Sequence, residues 1–131
     1  MNLRTEYVLD SSAVIAVLSL EPGHEAVKEL LGKSAVSAVN LAEISNKLAH
    51  ETPSAEAVRE LLAELELTVV DWSEEMAYRS TEFTRFNKSH GLSLGDRACL
   101  TLAKQLHATA VTSDRAWRRL PHLGVRVMMF R

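Results

Sequence analysis

The sequence predicts an α/β fold: a single three-layer domain over residues 1–131, whose central parallel sheet of about 4–5 strands carries helices on both faces. Short runs rich in β-branched residues alternate with longer amphipathic stretches, and no repeat, linker or low-complexity tract interrupts the alternation. This pattern is typical of parallel strands joined by right-handed helical crossovers. A length of 131 residues, 47% of them hydrophobic, is enough for one domain with its own core.

The strands are predicted where short apolar runs are bounded by charged or turn-forming residues. The first is the run Tyr7-Val8-Leu9, which Asp10 ends, and the fourth is the run Ala110-Val111-Thr112. In chain order the predicted strands cover residues 7–10, 35–37, 67–71, 109–112 and 125–129. In a parallel sheet of this kind, ligands bind beyond the carboxyl ends of the strands.

The first three helices are predicted from apolar residues that recur at helical spacing. They cover residues 11–19, 22–31 and 40–50. The first two are separated by Glu21-Pro22-Gly23, because proline and glycine interrupt helices. Gly32 is predicted to end the second, since glycine readily takes the left-handed conformation found at helix ends.

A fourth helix is predicted to start with Thr52 as its N-cap and Pro53 as its first residue. Its apolar residues share one face, which consists of Val58, Leu61, Leu62 and Leu65. A long fifth helix is predicted over residues 73–88 and is expected to stop near His90-Gly91. Residues 93–107 form the sixth predicted helix.

Charge is distributed unevenly along the chain. Residues 1–84 carry 6 Lys and Arg against 15 Asp and Glu, a net charge of −9, whereas residues 85–131 carry 9 against 2, a net charge of +7. The two acids of the basic segment are Asp96 and Asp114. A basic segment attracts polyanions such as nucleic acids. The alternative explanation is a solvated surface that happens to be uneven, and the charge alone does not decide between the two.

The chain has one cysteine, Cys99, which excludes an internal disulfide and fits a reducing compartment. We interpret Cys99 as a small buried residue, since no histidine stands at a recognisable partner spacing. No apolar stretch approaches the length of a membrane span, and no signal segment opens the sequence. The expectation is a cytoplasmic protein without membrane association.

Four carboxylates are expected to meet at the carboxyl edge of the predicted sheet. Asp10 and Asp114 directly follow strands, while Glu43 and Asp96 belong to the first turns of predicted helices. Clustered acids repel each other and resist ionising together unless a cation lies between them. A carboxylate site without His or Cys favours hard divalent ions such as Mg²⁺ or Mn²⁺, and therefore metal-assisted phosphoryl chemistry.

Each acid also has a purely structural explanation as a helix cap or turn residue. Asp10 precedes Ser11-Ser12, and Asp114 precedes the short stretch around Trp117. The segments 40–43 (N-L-A-E) and 93–96 (S-L-G-D) both have the spacing of a capping box. Independent caps do not explain why all four acids should converge on one edge. Asp71 also ends a strand run, and we interpret it as a cap.

Other polar residues are candidates for supporting roles. Ser12 would orient a carboxylate or a water molecule, unless it is an ordinary serine in a first helical turn. Asn40 stands one helical turn before Glu43 and either bridges to it or caps a helix. Thr112 is a similar candidate beside the last acid. Three arginines of the basic segment are candidates for phosphate contacts, although surface arginines usually have no specific partner: Arg97, Arg115 and Arg118.

Four sequence blocks carry the four acids: V-L-D-S-S-A at 8–13, A-V-N-L-A-E at 38–43, G-L-S-L-G-D-R-A-C-L at 91–100 and V-T-S-D-R-A-W at 111–117. Together they resemble the PIN-domain ribonucleases, and among these the VapC toxins of bacterial toxin–antitoxin pairs. The resemblance covers nearly the full length of the chain. The third and fourth blocks, in this order and separation, are its most specific part.

In that family the acids of these blocks are metal ligands and catalytic residues. The residues that correspond to them here are Asp10, Glu43, Asp96 and Asp114. The family serine after the first aspartate corresponds to Ser12, and the hydroxyl before the last acid corresponds to Thr112. Ser113 departs from the alanine that family members often carry, a small change that leaves the four acids intact.

The resemblance implies a metal-dependent endoribonuclease that uses Mg²⁺ or Mn²⁺ and leaves 5′-phosphate and 3′-hydroxyl ends. Glu43 is the candidate for orienting or deprotonating the attacking water. The expected substrate is single-stranded or loop RNA, from tRNA or mRNA. The expected partners are a cognate VapB-like antitoxin and a second copy of the chain in a homodimer. The apolar faces of residues 25–31 and 55–65 are candidate surfaces for either partner or belong to the core.

Two alternatives belong to other classes: a receiver-like signalling domain and a non-catalytic binding module with a PIN fold. Asp71 and Thr112, at the ends of the third and fourth strands, fit a receiver, but no second acid adjoins Asp10 and no lysine follows the fifth strand. Metal-dependent cleavage of mixed RNA would separate the enzyme from the binding module. A deoxyribonuclease is a closer rival, since the metal chemistry does not distinguish the two sugars.

Overall fold

Parallel strands form one five-stranded sheet in the part of the chain that the computed structural model describes, which is residues 4–86, 91–119 and 124–131. The strands are β1 (Tyr7–Leu9), β2 (Ser34–Ser37), β3 (Thr68–Val70), β4 (Thr109–Thr112) and β5 (Val127–Met129). Their spatial order is β3-β2-β1-β4-β5. The predicted α/β class with a central parallel sheet is confirmed. Three strands, β1, β3 and β5, are shorter than the runs predicted for them.

Six α-helices surround the sheet within the same residues: α1 (Ser11–Ser19), α2 (His24–Lys28), α3 (Ala38–Leu48), α4 (Ala55–Ala63), α5 (Glu74–Arg79) and α6 (Leu94–Leu106). Short 3₁₀ segments cover Leu31–Lys33, Ser80–Phe86 and Arg115–Arg119. Across the described ranges, no helix has both the length and the apolar character that crossing a bilayer requires.

The sheet separates two hydrophobic cores, because successive strand residues point to opposite faces. Val8 and Ala110 belong to one core, together with buried residues of α5 and α6. Leu9 and Val111 belong to the other, together with buried residues of α1, α2, α3 and α4. This is the predicted three-layer arrangement. Cys99 lies in the first core, where burial raises the pKa of its thiol well above the ordinary value, so it is not a reactive thiolate.

Helix α3 begins earlier than predicted. The Ser37 hydroxyl oxygen accepts a hydrogen bond from the Val39 amide at 3.1 Å, so Ser37 is the N-cap and the helix starts at Ala38. The predicted capping box at residues 40–43 is therefore wrong. Asn40 lies inside the helix and is 1% exposed, so its side chain makes tertiary contacts instead of capping.

Helix α4 begins later than predicted. The Thr52 hydroxyl donates to the Leu48 carbonyl at 2.9 Å, at the end of α3, and so does not cap the following helix. Ser54 is the N-cap instead, because its side chain accepts a hydrogen bond from the Ala57 amide at 3.1 Å. Pro53 lies before this cap, and the predicted start at Thr52-Pro53 is wrong.

The predicted helix over residues 22–31 is reduced to α2 and a 3₁₀ segment. Gly23 precedes α2 with a φ angle of +89°. A Cβ atom at this position would also lie 2.8 Å from the Phe130 ring, so both backbone conformation and space require glycine there. The helix consequently starts after Gly23 rather than at Pro22.

The predicted long helix over residues 73–88 divides into α5 and the 3₁₀ segment that follows it. The Ser80 hydroxyl donates to the Ala77 carbonyl at 2.7 Å, and such local side-chain bonds compete with the regular α-helical pattern. The cap of α5 is Ser73, whose side chain accepts a hydrogen bond from the Met76 amide at 3.1 Å, so the cap role predicted for Asp71 is wrong. The predicted end, at residues 88–90, lies outside the described residues.

The capping box at the start of α6 is present. The Ser93 side chain accepts a hydrogen bond from the Asp96 amide at 3.1 Å, and the Asp96 carboxylate accepts one from the Ser93 amide at 2.9 Å. The helix ends at Leu106, and the C-cap residue His107 takes the left-handed conformation with a φ angle of 54°. The reciprocal pair fixes Asp96 in the first turn of α6.

Candidate functional site

A polar cavity of about 500 Å³ opens at the carboxyl edge of the sheet. Asp10 follows β1 and Asp114 follows β4, and these strands are neighbours although β2 and β3 come between them in the chain. The strand order therefore reverses between β1 and β4, and open α/β sheets form their binding crevices at such points. All four predicted acids line this cavity: Asp10, Glu43, Asp96 and Asp114.

Asp10 is held by three hydrogen-bond donors. Its side chain is 6% exposed and caps α1, accepting a hydrogen bond from the Ala13 amide at 3.0 Å. The Ser12 hydroxyl donates to one carboxylate oxygen at 2.6 Å, and the Thr112 hydroxyl donates to the other at 2.5 Å. Ser12, in the first turn of α1, and Thr112, at the end of β4, thus fix the orientation of Asp10.

Glu43 is held by two neutral side chains on the cavity wall. The Ser11 hydroxyl donates to Glu43 Oε1 at 2.6 Å, and Asn40 Nδ2 donates to the same oxygen at 3.1 Å. Asn40 Nδ2 also lies 3.1 Å from the Gly95 carbonyl oxygen, to which it donates. Asn40 therefore bridges α3 to the first turn of α6 and sets Glu43 relative to Asp96, the residue after Gly95.

Gly95 packs directly against the Glu43 carboxylate. A Cβ atom at position 95 would lie 2.6 Å from Glu43 Cδ and closer still to both carboxylate oxygens. The requirement for glycine is therefore one of space, because any side chain at this position would displace the Glu43 carboxylate.

Asp114 and the backbone beside it are tied to the hydroxyls that orient Asp10. The Asp114 amide donates to the Thr112 hydroxyl oxygen at 3.0 Å, and the Ser113 amide donates to the Ser12 hydroxyl oxygen at 3.2 Å. The Asp114 carboxylate is exposed and accepts a hydrogen bond from the Ala116 amide at 2.9 Å. One hydrogen-bond network thus positions both strand-end acids.

The cavity concentrates negative charge. Burial raises the pKa of Asp10, and the nearby Asp96 carboxylate raises it further, against three hydrogen bonds that lower it. Burial also raises the pKa of Asp96, and repulsion by the Asp114 and Glu43 carboxylates raises it further. Among the residues that the structure describes, none of the four carboxylates forms a salt bridge with a Lys, Arg or His side chain.

The chemistry of this donor set fits a hard divalent cation such as Mg²⁺ or Mn²⁺, which takes carboxylate oxygens as ligands and relieves their repulsion. As the side chains stand, no three Asp, Glu, His or Cys residues in the described ranges are grouped closely enough to hold an ion. Direct ligation of one ion by three of these carboxylates therefore requires some of the side chains to rearrange. The fit rests on the donor chemistry and the shared cavity.

Asp10→Asn is expected to stabilise the metal-free protein at neutral pH. A carboxyl group whose pKa rises on folding favours the folded state below its ordinary pKa of 3.8, and this contribution is lost as the pH rises through the folded-state value. Asparagine keeps the N-cap without the charge. In EDTA, the variant should have the higher Tm, with a gap that widens from pH 3.8 toward neutrality. A variant Tm at or below that of the wild type throughout this range would contradict the raised pKa.

The three predicted phosphate-binding arginines, Arg97, Arg115 and Arg118, are not among the described residues that line the cavity. Arg97 Nη1 donates to the Thr84 hydroxyl at 3.2 Å. Arg115 and Arg118 are exposed on the 3₁₀ segment that follows Asp114. Their contact with phosphates stays a prediction.

Sequence reasoning missed several residues of the cavity, and the polar ones among them are Ser11, Glu21, Lys47 and Arg131. It also missed Gly95, which packs against the Glu43 carboxylate. Lys47 follows Glu43 by one helical turn, so the periodicity of α3 is a signal that would have indicated it. Ser11 adjoins Asp10, yet its partner is Glu43, on another helix. Gly95 and Arg131 carry no local signal, because their relation to the cavity depends on contacts distant in the sequence.

Comparison with known protein families gives one match: the model of the PIN domain family matches residues 7–123. Comparison with curated proteins gives no match.

Solved structures with the same fold include three VapBC assemblies. DNA-bound VapBC from Salmonella typhimurium has a TM-score of 0.74 at 18% identity, covering 96% of this chain and 98% of the matched chain. VapBC2 from Rickettsia felis, bound to a promoter DNA fragment, has a TM-score of 0.71 at 18% identity, with 94% and 97% covered. VapBC-1 from nontypeable Haemophilus influenzae has a TM-score of 0.68 at 20% identity, with 95% and 97% covered. At these identities the similarity establishes the fold.

Proposed function

The chain belongs to the PIN domain family, and on that premise we propose that it is a metal-dependent endoribonuclease toxin of the VapC type. It would hydrolyse RNA phosphodiester bonds to 5′-phosphate and 3′-hydroxyl ends and be inhibited by a cognate antitoxin. The observation that carries the proposal is the cavity at the strand-order reversal, which all four carboxylates line and where, among the described residues, none of the four has a salt-bridge partner.

The ligands we propose for one or two Mg²⁺ or Mn²⁺ ions are Asp10 and Asp96, joined by Asp114 and Glu43 directly or through water. The chemistry that such an ion supplies when bound is neutralisation of charge on the scissile phosphate and a lower pKa for water. Ser12 and Thr112 hold both oxygens of Asp10 in place, so this carboxylate is oriented before any ligand arrives.

Glu43 is proposed to orient the attacking water and accept its proton. Both hydrogen bonds from Ser11 and Asn40 go to Oε1, which leaves Oε2 available for that proton. Because Asn40 also bonds to the first turn of α6, it ties the observed position of Glu43 to that of Asp96. Attack in line with the leaving 3′-oxygen would produce the proposed ends.

The net charge of +7 over residues 85–131 supports a nucleic-acid substrate. Single-stranded or loop RNA, from tRNA or mRNA, is the proposed form, because its bases and phosphates are accessible without opening a duplex. The carboxylate chemistry itself does not distinguish RNA from DNA, so the choice of RNA rests on the family.

An apolar groove of about 710 Å³ between α3, α4 and β3 supports an antitoxin partner. It is lined by Val58 and Leu62 of α4, within the predicted face of residues 55–65, and by Val69 of β3, which is 44% exposed. We propose that a VapB-like antitoxin places an apolar segment here. The face of residues 25–31, the homodimer and the cytoplasmic location stay predictions.

The proposal is tested by incubating the purified protein with a mixed pool of single-stranded RNA and Mg²⁺. We expect internal cleavage with 5′-phosphate ends, loss of cleavage in excess EDTA, and recovery when Mg²⁺ or Mn²⁺ is returned. Single-stranded DNA of matched sequence separates a ribonuclease from a deoxyribonuclease. RNA binding without cleavage would favour a non-catalytic PIN-fold module, and cleavage undiminished in EDTA would contradict the metal dependence.

A further inference from the structure

Two cationic side chains line the cavity beside its carboxylates. They are Lys47 of α3 and Arg131, which follows β5. The sheet order is β3-β2-β1-β4-β5. Helix α3 follows β2, on one side of β1 and β4, whereas Arg131 follows β5, on the other side. Asp10 and Asp114 follow the two strands between them, so the two cations flank the acids.

Lys47 has the sequence spacing of an ion pair but does not form one. It lies four residues after Glu43 on the same helix, the arrangement that favours a Glu–Lys bridge. Glu43 is held instead by Ser11 and Asn40, and Lys47 is exposed without a salt-bridge partner in the described ranges. Its ammonium group is therefore available to an anion at the cavity mouth.

Arg131 is held in place at the cavity rim. Its Nη1 donates to Glu21 Oε1 at 3.1 Å and to the Pro22 carbonyl at 3.2 Å. The guanidinium lies 5.2 Å from the centroid of the Phe130 ring, and the Phe130 amide bonds to the Thr112 carbonyl at 3.1 Å. The chain that carries Arg131 is thus anchored beside the strand end that supports Asp114, and the guanidinium keeps further N–H groups for a phosphate.

We propose that Lys47 and Arg131 bind the RNA phosphates on the two sides of the scissile phosphate. This inference rests on the proposed ribonuclease function. A strand that crosses the cavity from α3 to the β5 edge places one phosphate at the acids and its neighbours near the two cations. The two residues bind and position the substrate and take no part in the bond-breaking step.

The test measures binding of a fluorescent single-stranded oligoribonucleotide to the metal-free protein in EDTA, by anisotropy over a range of salt concentrations. Lys47→Gln and Arg131→Gln should each weaken binding about fivefold at low salt and reduce the slope of log K against log salt by about 0.7, the value for one phosphate contact on a single strand. Lys47→Arg, which retains the charge, should restore most of the affinity. With Mg²⁺, the two Gln variants should raise KM much more than they lower kcat.

Matched controls are Lys33→Gln and Arg126→Gln, which remove the same charges at the amino edge of the sheet. Both should bind RNA like the wild type. The inference is overturned if Lys47→Gln and Arg131→Gln bind RNA as tightly as these controls, or if RNA binding is weakened only by Arg115→Gln and Arg118→Gln. It is also overturned if Lys47→Gln and Arg131→Gln weaken binding of the antitoxin but not of RNA. If the wild type cleaves RNA and the Lys47 and Arg131 variants bind and cleave it equally well, only this inference is contradicted. If the wild type neither binds nor cleaves RNA, the proposed function is contradicted as well.

Discussion

Replacing Asp96 with asparagine is expected to lower the rate of RNA cleavage by on the order of 10²–10³-fold, the scale of losing one electrostatic element of an active site. Asparagine retains an oxygen for the hydrogen bond from the Ser93 amide, so the cap of α6 survives. The variant loses a negative oxygen that faces three other acids in the same cavity. Initial cleavage rates in Mg²⁺ measure the loss, and circular dichroism with thermal unfolding confirms that the fold is retained.

Asp71→Asn is the matched control for this prediction. Asp71 is exposed and follows β3 at the same edge of the sheet, but it is not among the described residues that line the cavity. Its replacement should leave cleavage unchanged. Equal activity of the Asp96 variant and the wild type would contradict the proposed role of Asp96.

Gly95→Ala is expected to lower cleavage by about 10²-fold, the scale of a misplaced general base, without lowering stability. The added Cβ atom would occupy the space of the Glu43 carboxylate, which is the mobile end of a long side chain and moves away. Glu43 then loses its bonds to Ser11 and Asn40. Alanine favours a helix over glycine by at most about 0.5–1 kcal/mol, so the Tm should stay level or rise slightly.

Two further variants make this prediction specific. Gly32→Ala is the control, because a Cβ atom there meets nothing within 4 Å and the residue has no positive φ. Glu43→Gln should lower cleavage to a similar extent, and Gly95→Ala combined with it should cause little further loss, since both changes act on one carboxylate. Additive losses would show that the change at Gly95 does not act through Glu43. A Gly95→Ala enzyme with full activity would show that the position of the Glu43 carboxylate against Gly95 is not essential.

The fold was predictable because it follows from local patterns. Consecutive apolar strand residues such as Val8 and Leu9 point to opposite faces of the sheet and belong to different cores. A strand that is apolar on both faces therefore needs a layer of helices on each side. Helix starts were less predictable, since several nearby residues compete for one capping role. Thr52 was a plausible cap by type, but its hydroxyl bonds back to Leu48, and only the path of the chain reveals that Ser54 caps α4.

That the four acids line one cavity was predictable, because Asp10 and Asp114 follow strands and Asp96 lies in a first helical turn, where the topology brings residues together. Glu43 lies deeper in α3 than predicted, because that helix begins at Ala38. The side chains that hold them were harder to identify. The predicted supporting residues Ser12 and Thr112 contact Asp10, whereas Ser11, for which the sequence predicts no such role, bonds to Glu43. A hydroxyl at a helix start has several partners within reach, and only the packing of α1 against α3 selects one.

The cationic residues of the cavity were the least predictable part of the site. The basic charge of residues 85–131 favours phosphate contacts by Arg115 and Arg118, yet both are exposed and neither is among the described residues that line the cavity. Arg131 reaches the cavity through the pairing of β5 with β4 and through Glu21, which is far away in the chain. Proximity of this kind arises from the sheet order and leaves no trace in the local sequence.

The central claim is that these four carboxylates share a divalent cation, and the most direct measurement is Mn²⁺ binding to the metal-free protein, followed by electron paramagnetic resonance. The wild type should bind Mn²⁺ saturably and in competition with Mg²⁺. Asp10→Asn and Asp96→Asn should each weaken binding at least about tenfold, while Asp71→Asn should not change it. Absence of saturable binding in the wild type, or equal affinity in all four proteins, would contradict the claim.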